Sequence, residues 1–233
     1  MNTKPTFLAD PRDNQLLAAL HQNDLARWMP HLELVDLALG QVLGESGRTP
    51  AYVYFPTTAI VSLVSMTEDG ASSEIAVVGK DGIVGISLFM GGNAMPSEAV
   101  VQSAGRGYRL RAQTFKAEVD SAGPILMLLM RYTQALMEQV AQTAACNRYQ
   151  SIDQLLCRRL LLGLERLPAN ALLMTQELLA TLLGVRREGV TAAALKLQRD
   201  GVIRYSRGRI DVLDRTLLAQ RTGECRAATT QAA

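Results

Sequence analysis

Apolar positions recur with different spacings in different parts of the chain. Residues 12–29 place Leu and Trp at helical or nearly helical spacing, which predicts one or two short helices with Asn23 or Asp24 as the cap of a new turn. From about residue 32 to residue 111, short apolar runs alternate with Gly, Pro and Asp-Gly turn signals, and residues 67–72 predict a hairpin turn. Many short strands with turns about every ten residues are typical of an antiparallel roll or barrel.

A helical period returns after Gly123-Pro124, which predicts the start of a long helix that extends through residue 147. Its apolar stripe consists of Ile125, Leu129, Tyr132, Leu136, Val140 and Thr143. This stripe could pack inside its own chain, or it could pair with a second copy as a parallel coiled coil. Because a roll lacks an extended flat surface for a helix of about seven turns, we expect the stripe to form a homodimer interface.

The next part of the sequence predicts two further helices separated by a connector. The first helix is capped by Ser151 and runs to residue 167, just before a proline. Residues 168–173 form the connector. Thr175 is the predicted N-cap of the second helix, and Gly184 permits a sharp turn at its end.

A last helix and a short hairpin follow the turn. The helix runs from about residue 186 to residue 199 and ends at Gly201, which can supply the left-handed terminating conformation. The residues available for burial on this helix are Val190, Ala194, Leu195 and Leu197. Residues 202–205 and 209–213 alternate as two strands around the turn 206–208.

Charge is distributed unevenly along the chain. The whole sequence has a formal net charge of +2 at pH 7 and is 48% hydrophobic and 20% charged, so a folded core is expected. Residues 1–146 contain ten basic and fourteen acidic side chains, whereas residues 147–226 contain fourteen basic and eight acidic ones. This contrast could be an ordinary fluctuation of surface charge, or it could mark a mildly acidic domain joined to one that binds a polyanion.

The sequence argues against an enzyme and against a metal or other cofactor. It has two histidines and no HExxH, Walker-type or Ser-His-Asp pattern. We expect His21 and His31 to be surface or hydrogen-bonded residues rather than ligands, and Cys146 and Cys157 to be buried helix residues. No apolar run reaches the roughly 18 residues that span a bilayer and no signal sequence precedes the first helix, so we expect a cytoplasmic protein without membrane association.

Helix, glycine turn, helix and basic hairpin together form the pattern of a winged helix-turn-helix, whose second helix presents its first residues to base edges in the major groove. The candidate base-reading residues are Arg186, Arg187, Glu188 and Thr191. Arginine can donate in a fork to guanine O6 and N7, and glutamate can accept from cytosine N4. The candidate phosphate contacts are Thr175, Lys196, Arg199, Arg204, Arg207 and Arg209. A solvated basic hairpin in another kind of domain is the alternative, but the ordered pattern and the local excess of basic residues favour DNA binding.

With these motifs, nearly all of residues 12–226 resembles the Crp–Fnr family of bacterial transcription regulators. Residues 37–70 are similar to the start of the family's β-roll, residues 123–147 to its dimer helix and residues 182–214 to its DNA-reading unit. The resemblance implies an α+β fold with a jelly-roll-like antiparallel β-roll, a long dimerisation helix and a C-terminal winged helix-turn-helix. The corresponding divisions are residues 1–120, 121–147 and 148–226, followed by a disordered tail at 227–233.

By this resemblance, Arg187 and Glu188 match the family's base-reading Arg-Glu pair. A further family arginine, one helical turn on, is replaced here by Ala192, so the preferred DNA sequence is expected to differ. The oxygen-sensing members hold an iron–sulfur cluster with N-terminal cysteines, and no cysteine precedes Cys146 in this chain, which excludes a cluster with four such ligands.

Cyclic-nucleotide-binding members carry a Gly-Glu pair and, after a short loop, an Arg followed by Ser or Thr. Ile86 stands here where the Glu would be, and residues 96–99 contain no arginine. The corresponding candidate effector positions are Gly85, Ile86, Ser97, Glu98 and Ala99. Because Glu98 repels a phosphate and no cation replaces the missing arginine, we expect the roll not to bind cyclic AMP in the usual way.

The predicted function is therefore a sequence-specific transcription regulator that binds a palindromic DNA site as a homodimer. The alternative is a sensor of a cyclic nucleotide or of another, unidentified small molecule in the roll. The predicted partners are double-stranded DNA, a second copy of the chain, RNA polymerase as a candidate contact, and an effector of unknown identity.

Overall fold

The fold consists of an N-terminal roll with its helices, one long helix and a smaller C-terminal domain. The computed structural model describes residues 10–66, 72–92, 94–121, 123–166 and 171–223. The helices are α1 (Gln15–Ala18), α2 (Gln22–Trp28), α3 (Ala112–Ser121), α4 (Gly123–Tyr149), α5 (Ile152–Arg166), α6 (Gln176–Leu183), α7 (Arg187–Arg199) and α8 (Arg215–Gln220). The strands are β1 (Glu33–Leu37), β2 (Val42–Gly44), β3 (Tyr52–Pro56), β4 (Ile60–Met66), β5 (Ser72–Val78), β6 (Glu98–Ser103), β7 (Gly105–Arg111), β8 (Ala171–Leu173), β9 (Ile203–Ser206) and β10 (Arg209–Val212). Most of the hairpin turn predicted at 67–72, and all of the tail at 227–233, lie outside the described residues.

Two antiparallel sheets form the roll, which confirms the predicted architecture. One sheet has the strand order β1-β7-β3 and the other has the order β2-β6-β4-β5. Alternate side chains of each strand point between the sheets, because side chains alternate across a strand. The apolar core that they enclose consists of Leu37, Leu43, Tyr54, Ala59, Val61, Val78, Val84, Met95, Ala99 and Val101.

Asn14 caps α1 and also ties it to the roll. Its side-chain oxygen accepts from the N–H groups of Leu16, at 3.0 Å, and Leu17, at 3.2 Å. Its amide nitrogen donates to the carbonyl oxygens of Pro56 and Gly82, both at 2.9 Å. The side chain is fully buried, and these four bonds satisfy it there.

The cap of α2 differs from the predicted one. His21 takes this place, with its Nδ1 accepting from the N–H of Asn23 at 3.4 Å. Asn23 and Asp24, which were predicted as caps, both lie inside the helix. The prediction was wrong because α2 begins before the first apolar residue of its pattern, Leu25, and the pattern alone does not locate such a start.

α3 directly follows the last strand of the roll and was not predicted. Only two of its side chains, Phe115 and Val119, are buried, so its apolar pattern is too short to stand out. Phe115 contacts Trp28 edge-on with the ring centroids 5.9 Å apart. Together, α1, α2 and α3 form an apolar layer on the outer side of β3 and β7.

The predicted dimer stripe of α4 packs largely inside its own chain. Ile125 and Leu129 are 1% and 3% exposed and belong to the layer formed by α1–α3, and Leu136 is also buried. Tyr132 donates from its hydroxyl to the carbonyl of Ile83 at 3.2 Å. Val140 and Thr143 are half-buried. The assignment of this stripe to a second copy is therefore corrected, because α4 packs on both α3 and strand β5 of the roll, which together bury the stripe.

The opposite side of α4 is apolar and exposed. Its large exposed side chains are Leu126, Met127, Met130 and Met137. Although α4 has 27 residues, no helix in the described parts of the chain is both long and apolar enough to cross a membrane.

The C-terminal domain has the predicted helices and hairpin around one apolar core, with two additions. Residues 171–173, predicted as a connector, form β8, which pairs with β10 in the sheet β8-β10-β9. Helix α8 follows the hairpin and packs on α5. One burial prediction was wrong, since Leu195 is 52% exposed, whereas Val190, Ala194 and Leu197 are buried.

The C-terminal domain packs on the outer face of the sheet β2-β6-β4-β5. A Cβ at Gly184, after α6, would lie 3.4 Å from the carbonyl oxygen of Ser72 at the start of β5. Arg159 of α5 forms an ion pair with Glu74 of β5, with Nη2 and Oε2 3.1 Å apart. The two domains therefore share a contact that includes buried charges.

The packing of α4 on the roll can be tested at Gly82, where an added Cβ would lie 2.4 Å from the hydroxyl oxygen of Tyr132. We expect Gly82→Ala to lower the free energy of unfolding by about 1–3 kcal/mol, because the Tyr132 ring must move. Chemical denaturation measures the change. Gly123→Ala is the matched control, since a Cβ there meets nothing within 4 Å, and it should not destabilise the protein. Equal effects of the two substitutions would contradict this close packing.

Candidate DNA-binding interface

The first two helices of the interface meet at a tight turn. Thr175 caps α6, and its side-chain oxygen accepts from the N–H of Leu178 at 3.1 Å. Gly184 ends α6 with a φ of +64°, a left-handed conformation that favours glycine. Arg186 then has an extended backbone, so α7 begins at Arg187 and carries Glu188 in its first turn.

One side of α7 is buried and the other is exposed. The buried side chains are Val190, Ala193, Ala194 and Leu197. Arg186, Arg187 and Glu188 are exposed, so the start of the helix presents one acidic and two basic side chains to its surroundings. Thr191 is half-buried, and its hydroxyl lies 2.9 Å from Gln176 Oε1 and 3.0 Å from the carbonyl of Arg187. Its proton therefore already has acceptors within the protein.

A cleft of about 380 Å³ separates the start of α6, the exposed side of α7 and the hairpin. Arg187, Leu195 and Gln198 line it from α7, where spacings of three, eight and eleven residues place side chains on one face of a helix. Its other lining residues are Thr175, Gln176, Ala194, Tyr205, Arg207 and Gly208. The cleft thus combines two guanidinium groups with amide, hydroxyl and apolar side chains.

The hairpin is fixed to the start of α6. The hydroxyl of Tyr205 donates to the carbonyl of Met174 at 2.8 Å, and the N–H of Met174 donates to the carbonyl of Gly208 at 2.7 Å. Arg207 at the tip has a φ of +49°, the only positive value among the described non-glycine residues. Burial raises the pKa of Tyr205 and the nearby charge of Arg187 lowers it, with a net increase, so this hydroxyl keeps its proton at neutral pH.

The predicted phosphate contacts do not all lie at the cleft. Arg207 and Thr175 line it, although the Thr175 oxygen is already engaged as a helix cap. Lys196 points to α5, where Nζ lies 2.5 Å from Asp153 Oδ2. Arg209 pairs with Asp211 at 2.8 Å. The two remaining candidates, Arg199 and Arg204, are exposed.

Six residues that line the cleft were not among the predicted site residues: Gln176, Ala194, Leu195, Gln198, Tyr205 and Gly208. The sequence did contain a signal for Leu195. It lies four residues after Thr191, a predicted base-reading residue, and therefore on the same side of α7, but it was predicted to be buried. Gln198 accepts from the N–H of Tyr205 at 2.7 Å, a contact between helix and hairpin that no local pattern reveals.

The candidate effector positions do not all lie on one side of the sheet. Ala99 faces the apolar core of the roll, whereas Glu98, its neighbour in β6, lies beside Val100 and Gln102 at a cavity on the outer face of the sheet. Gly85 has a φ of +101° and leads into the turn that contains Ile86, and Ser97 is buried. Residues that face opposite sides of a sheet cannot jointly hold one phosphate.

The histidines and cysteines have structural surroundings. His21 is an exposed helix cap and His31 is exposed. Cys146 and Cys157 are fully buried, as predicted, and burial raises the pKa of Cys157 to about 11, which leaves little thiolate at neutral pH. Among the described residues, no group of three or more His, Cys, Asp or Glu side chains could hold a metal ion.

Comparisons with known proteins identify both parts of the chain. The family model for a cyclic nucleotide-binding domain matches residues 34–122, and the model for a Crp-like helix-turn-helix domain matches residues 155–221. No curated protein sequence matches the chain.

Three solved structures illustrate the similarity of fold. FixK2 from Bradyrhizobium japonicum has a TM-score of 0.71 at 15% identity, covering 84% of this chain and 99% of its own. The c-di-GMP responsive global regulator CLP of Xanthomonas campestris has a TM-score of 0.67 at 15% identity, and the match covers 83% of this chain and 100% of that protein. A transcriptional regulator of the CRP/FNR family from Thermus thermophilus has a TM-score of 0.66 at 22% identity, and the match covers 82% of this chain and 98% of that protein.

The two arginines of the cleft should have different effects on DNA binding. We expect Arg187→Ala to cost about 1–3 kcal/mol at one base position and to relax the preference there, because Arg187 is predicted to contact a base edge. Arg207→Ala should weaken binding to all sequences and reduce the dependence of affinity on salt, because Arg207 is predicted to contact a phosphate. Affinities measured on single-base variants of the bound DNA site, at several salt concentrations, distinguish a base contact from a phosphate contact. Identical profiles for both variants would contradict the assignment.

Proposed function

The chain belongs to the Crp–Fnr family of DNA-binding transcription regulators, and on that basis we propose that it binds a two-fold symmetric DNA site as a homodimer. The members of this family are regulators of transcription rather than enzymes. The observation that carries the proposal is the exposure of Arg187 and Glu188 at the start of α7, beside a cleft that Arg207 also lines. We further propose that it acts in the cytoplasm, with RNA polymerase as a candidate contact.

DNA reading rests on the exposed face of α7. In a major groove, Arg187 would donate to guanine O6 and N7, and Glu188 would accept from cytosine N4. Leu195, one of the exposed apolar residues on the same helix, suits the methyl group of thymine. Ala192 is exposed where the family resemblance places an arginine, so the base opposite this position would lose a charged partner.

Dimerisation rests on the exposed side of α4. Met127, Met130, Gln134, Met137 and Ala141 follow one another at alternating intervals of three and four residues, which is the spacing of a coiled-coil seam. These residues line a groove of about 940 Å³ that also includes Phe89 and Met90. An exposed apolar surface of this kind is typical of a protein interface, and a matching helix from a second copy fits its length and period.

We propose that the roll does not bind cyclic AMP in the usual way. Ile86 occupies the place of the ribose-binding glutamate. The side chain of Glu98 lies on the outer face of the sheet, whereas that of Ala99 faces the apolar core of the roll. The alternative function is a sensor of another small molecule. The match of residues 34–122 to a cyclic nucleotide-binding domain supports this alternative.

Selection of bound DNA from a random pool, followed by footprinting, tests the main proposal. We expect a palindrome whose half-sites are about 34 Å apart, because two recognition helices related by a two-fold axis enter successive major grooves. Met130→Glu, which places a charge in the proposed seam, should yield monomers in sedimentation velocity and weaken binding to the palindrome by at least about tenfold. Leu39→Glu changes another exposed apolar residue and should alter neither property. A Met130→Glu protein that remains dimeric would contradict the proposed seam.

Thermal unfolding with and without cyclic AMP tests the effector proposal. A ligand at 100 times its Kd stabilises a protein by about 2.7 kcal/mol, which is several degrees in Tm for a domain of this size. We expect cyclic AMP at millimolar concentration to leave Tm unchanged. A clear increase, accompanied by a change in DNA affinity, would instead establish cyclic-nucleotide sensing.

A further inference from the structure

Four polar side chains are buried together where the C-terminal domain meets the roll. Ser62 of β4, Glu74 of β5 and Gln102 of β6 lie side by side on the outer face of the sheet, and Arg159 reaches them from α5. The side chains of Arg159 and Glu74 are only 3% and 7% exposed, with Nη2 and Oε2 3.1 Å apart. This group, here called the junction cluster, belongs to neither apolar core.

The junction cluster is connected by hydrogen bonds across the two domains. The Ser62 hydroxyl lies 2.6 Å from Gln102 Oε1 and within bonding distance of the Glu74 carboxylate. Arg159 Nη2 donates to Gln102 Oε1 as well. Burial lowers the pKa of the neighbouring Arg158, an effect that the negative charge of Glu74 partly offsets. Glu74 therefore acts on two guanidinium groups of α5.

Buried charges of this kind are a poor means of attaching two domains but a good means of orienting them. The free-energy cost of removing two ions from water is about as large as the gain from their attraction. An apolar pair of similar size often stabilises the folded protein equally well or better. A guanidinium, in contrast, has fixed donor directions, so the contact of Arg159 Nη2 with Glu74 forms in only a narrow range of domain orientations.

Apolar packing at this junction is not continuous. Beside the junction cluster, a cavity of about 240 Å³ lies between the sheet and α6, with Val64, Val100 and Leu178 among its walls. A contact with such a gap permits neighbouring orientations at similar energy, because few apolar atoms are lost on sliding. The polar side chains discriminate among those orientations.

The position of α5 determines the position of α7. A Cβ at Gly189 of α7 would lie 2.7 Å from Ile152 Cδ1 of α5, so the two helices are in close contact. Their buried residues share one apolar core. Fixing Arg159 to the roll therefore also fixes the DNA-reading face of α7 relative to α4, which packs on the same roll.

We infer that Glu74 and Arg159 are positioning residues for DNA reading. By orienting the C-terminal domain on the roll, they set the distance between the two recognition helices of the homodimer, and with it the preferred spacing of the half-sites. This inference rests on the proposed homodimer. Neither residue needs to contact DNA, and Glu74 lies in the other domain.

The test compares full-length wild-type protein with the double variant Glu74→Met, Arg159→Met, which keeps apolar bulk at the junction. Affinities are measured for one half-site and for palindromes whose spacers differ by one or two base pairs. We expect half-site affinity within about twofold of wild type, an approximately tenfold loss on the optimal palindrome, and a flatter dependence on spacing. The single variant Glu74→Gln should change the spacing profile in the same direction, although it leaves the DNA-binding domain unaltered.

Asp153→Asn is the matched control, because it breaks the exposed pair with Lys196 on the same helix without touching the roll. Its spacing profile should remain that of wild type. A double variant with an unchanged profile, or with an equal loss on the half-site and the palindrome, would overturn the positioning role.

A readout without DNA separates this inference from the proposed function. Amide hydrogen exchange should show faster exchange in β5 and α6 of the double variant, with unchanged protection in α7. Unchanged exchange in β5 and α6 would also overturn the inference. A wild-type protein that binds a palindrome no better than a half-site would refute the homodimer proposal, whereas the exchange result would still decide whether the pair orients the domain.

Discussion

The long helix α4 contributes buried side chains to the cores of both domains and thereby connects them. Ile125 and Leu129 of α4 belong to the apolar layer on the roll, and Cys146 near its other end belongs to the core of the C-terminal domain. A continuous helix is stiff over this length, so burial at both ends constrains where the two domains lie. The remaining side of α4 stays apolar and exposed, and the proposed second copy would cover it.

Apolar and polar contacts have different parts in this arrangement. The two apolar cores hold each domain together, since burial of apolar surface is the main favourable term in folding and depends little on direction. Between the domains, the buried pair of Glu74 and Arg159 adds directional bonds beside a cavity. At the proposed DNA-facing side, Arg187 and Glu188 are exposed, so their hydrogen-bonding groups remain available for a ligand with matching geometry.

Strong local signals made much of the fold and of the candidate interface predictable. The capping Thr175, the left-handed Gly184 and the turn at Gly201 have functions that depend on a few neighbouring residues, and all three lie where the sequence placed them. Three short elements, α3, β8 and α8, were missed. α3 buries only two apolar side chains, and β8 is a strand only because β10 lies beside it. Propensity is a weak indicator for segments of this length, because tertiary contacts override it.

The order of residues is enough to show that α4 is a long helix with apolar side chains, and that α7 begins with a charged turn. Which side of α4 faces inward depends on packing between distant segments. Ile125, Leu129, Tyr132 and Leu136 repeat at intervals of three and four residues, and so do Met127, Met130, Gln134 and Met137. Both stripes satisfy the same helical period, so periodicity cannot rank them. The choice came from the packing of α4 on α3 and on β5, a strand distant in sequence, which buries the first stripe and leaves the second exposed.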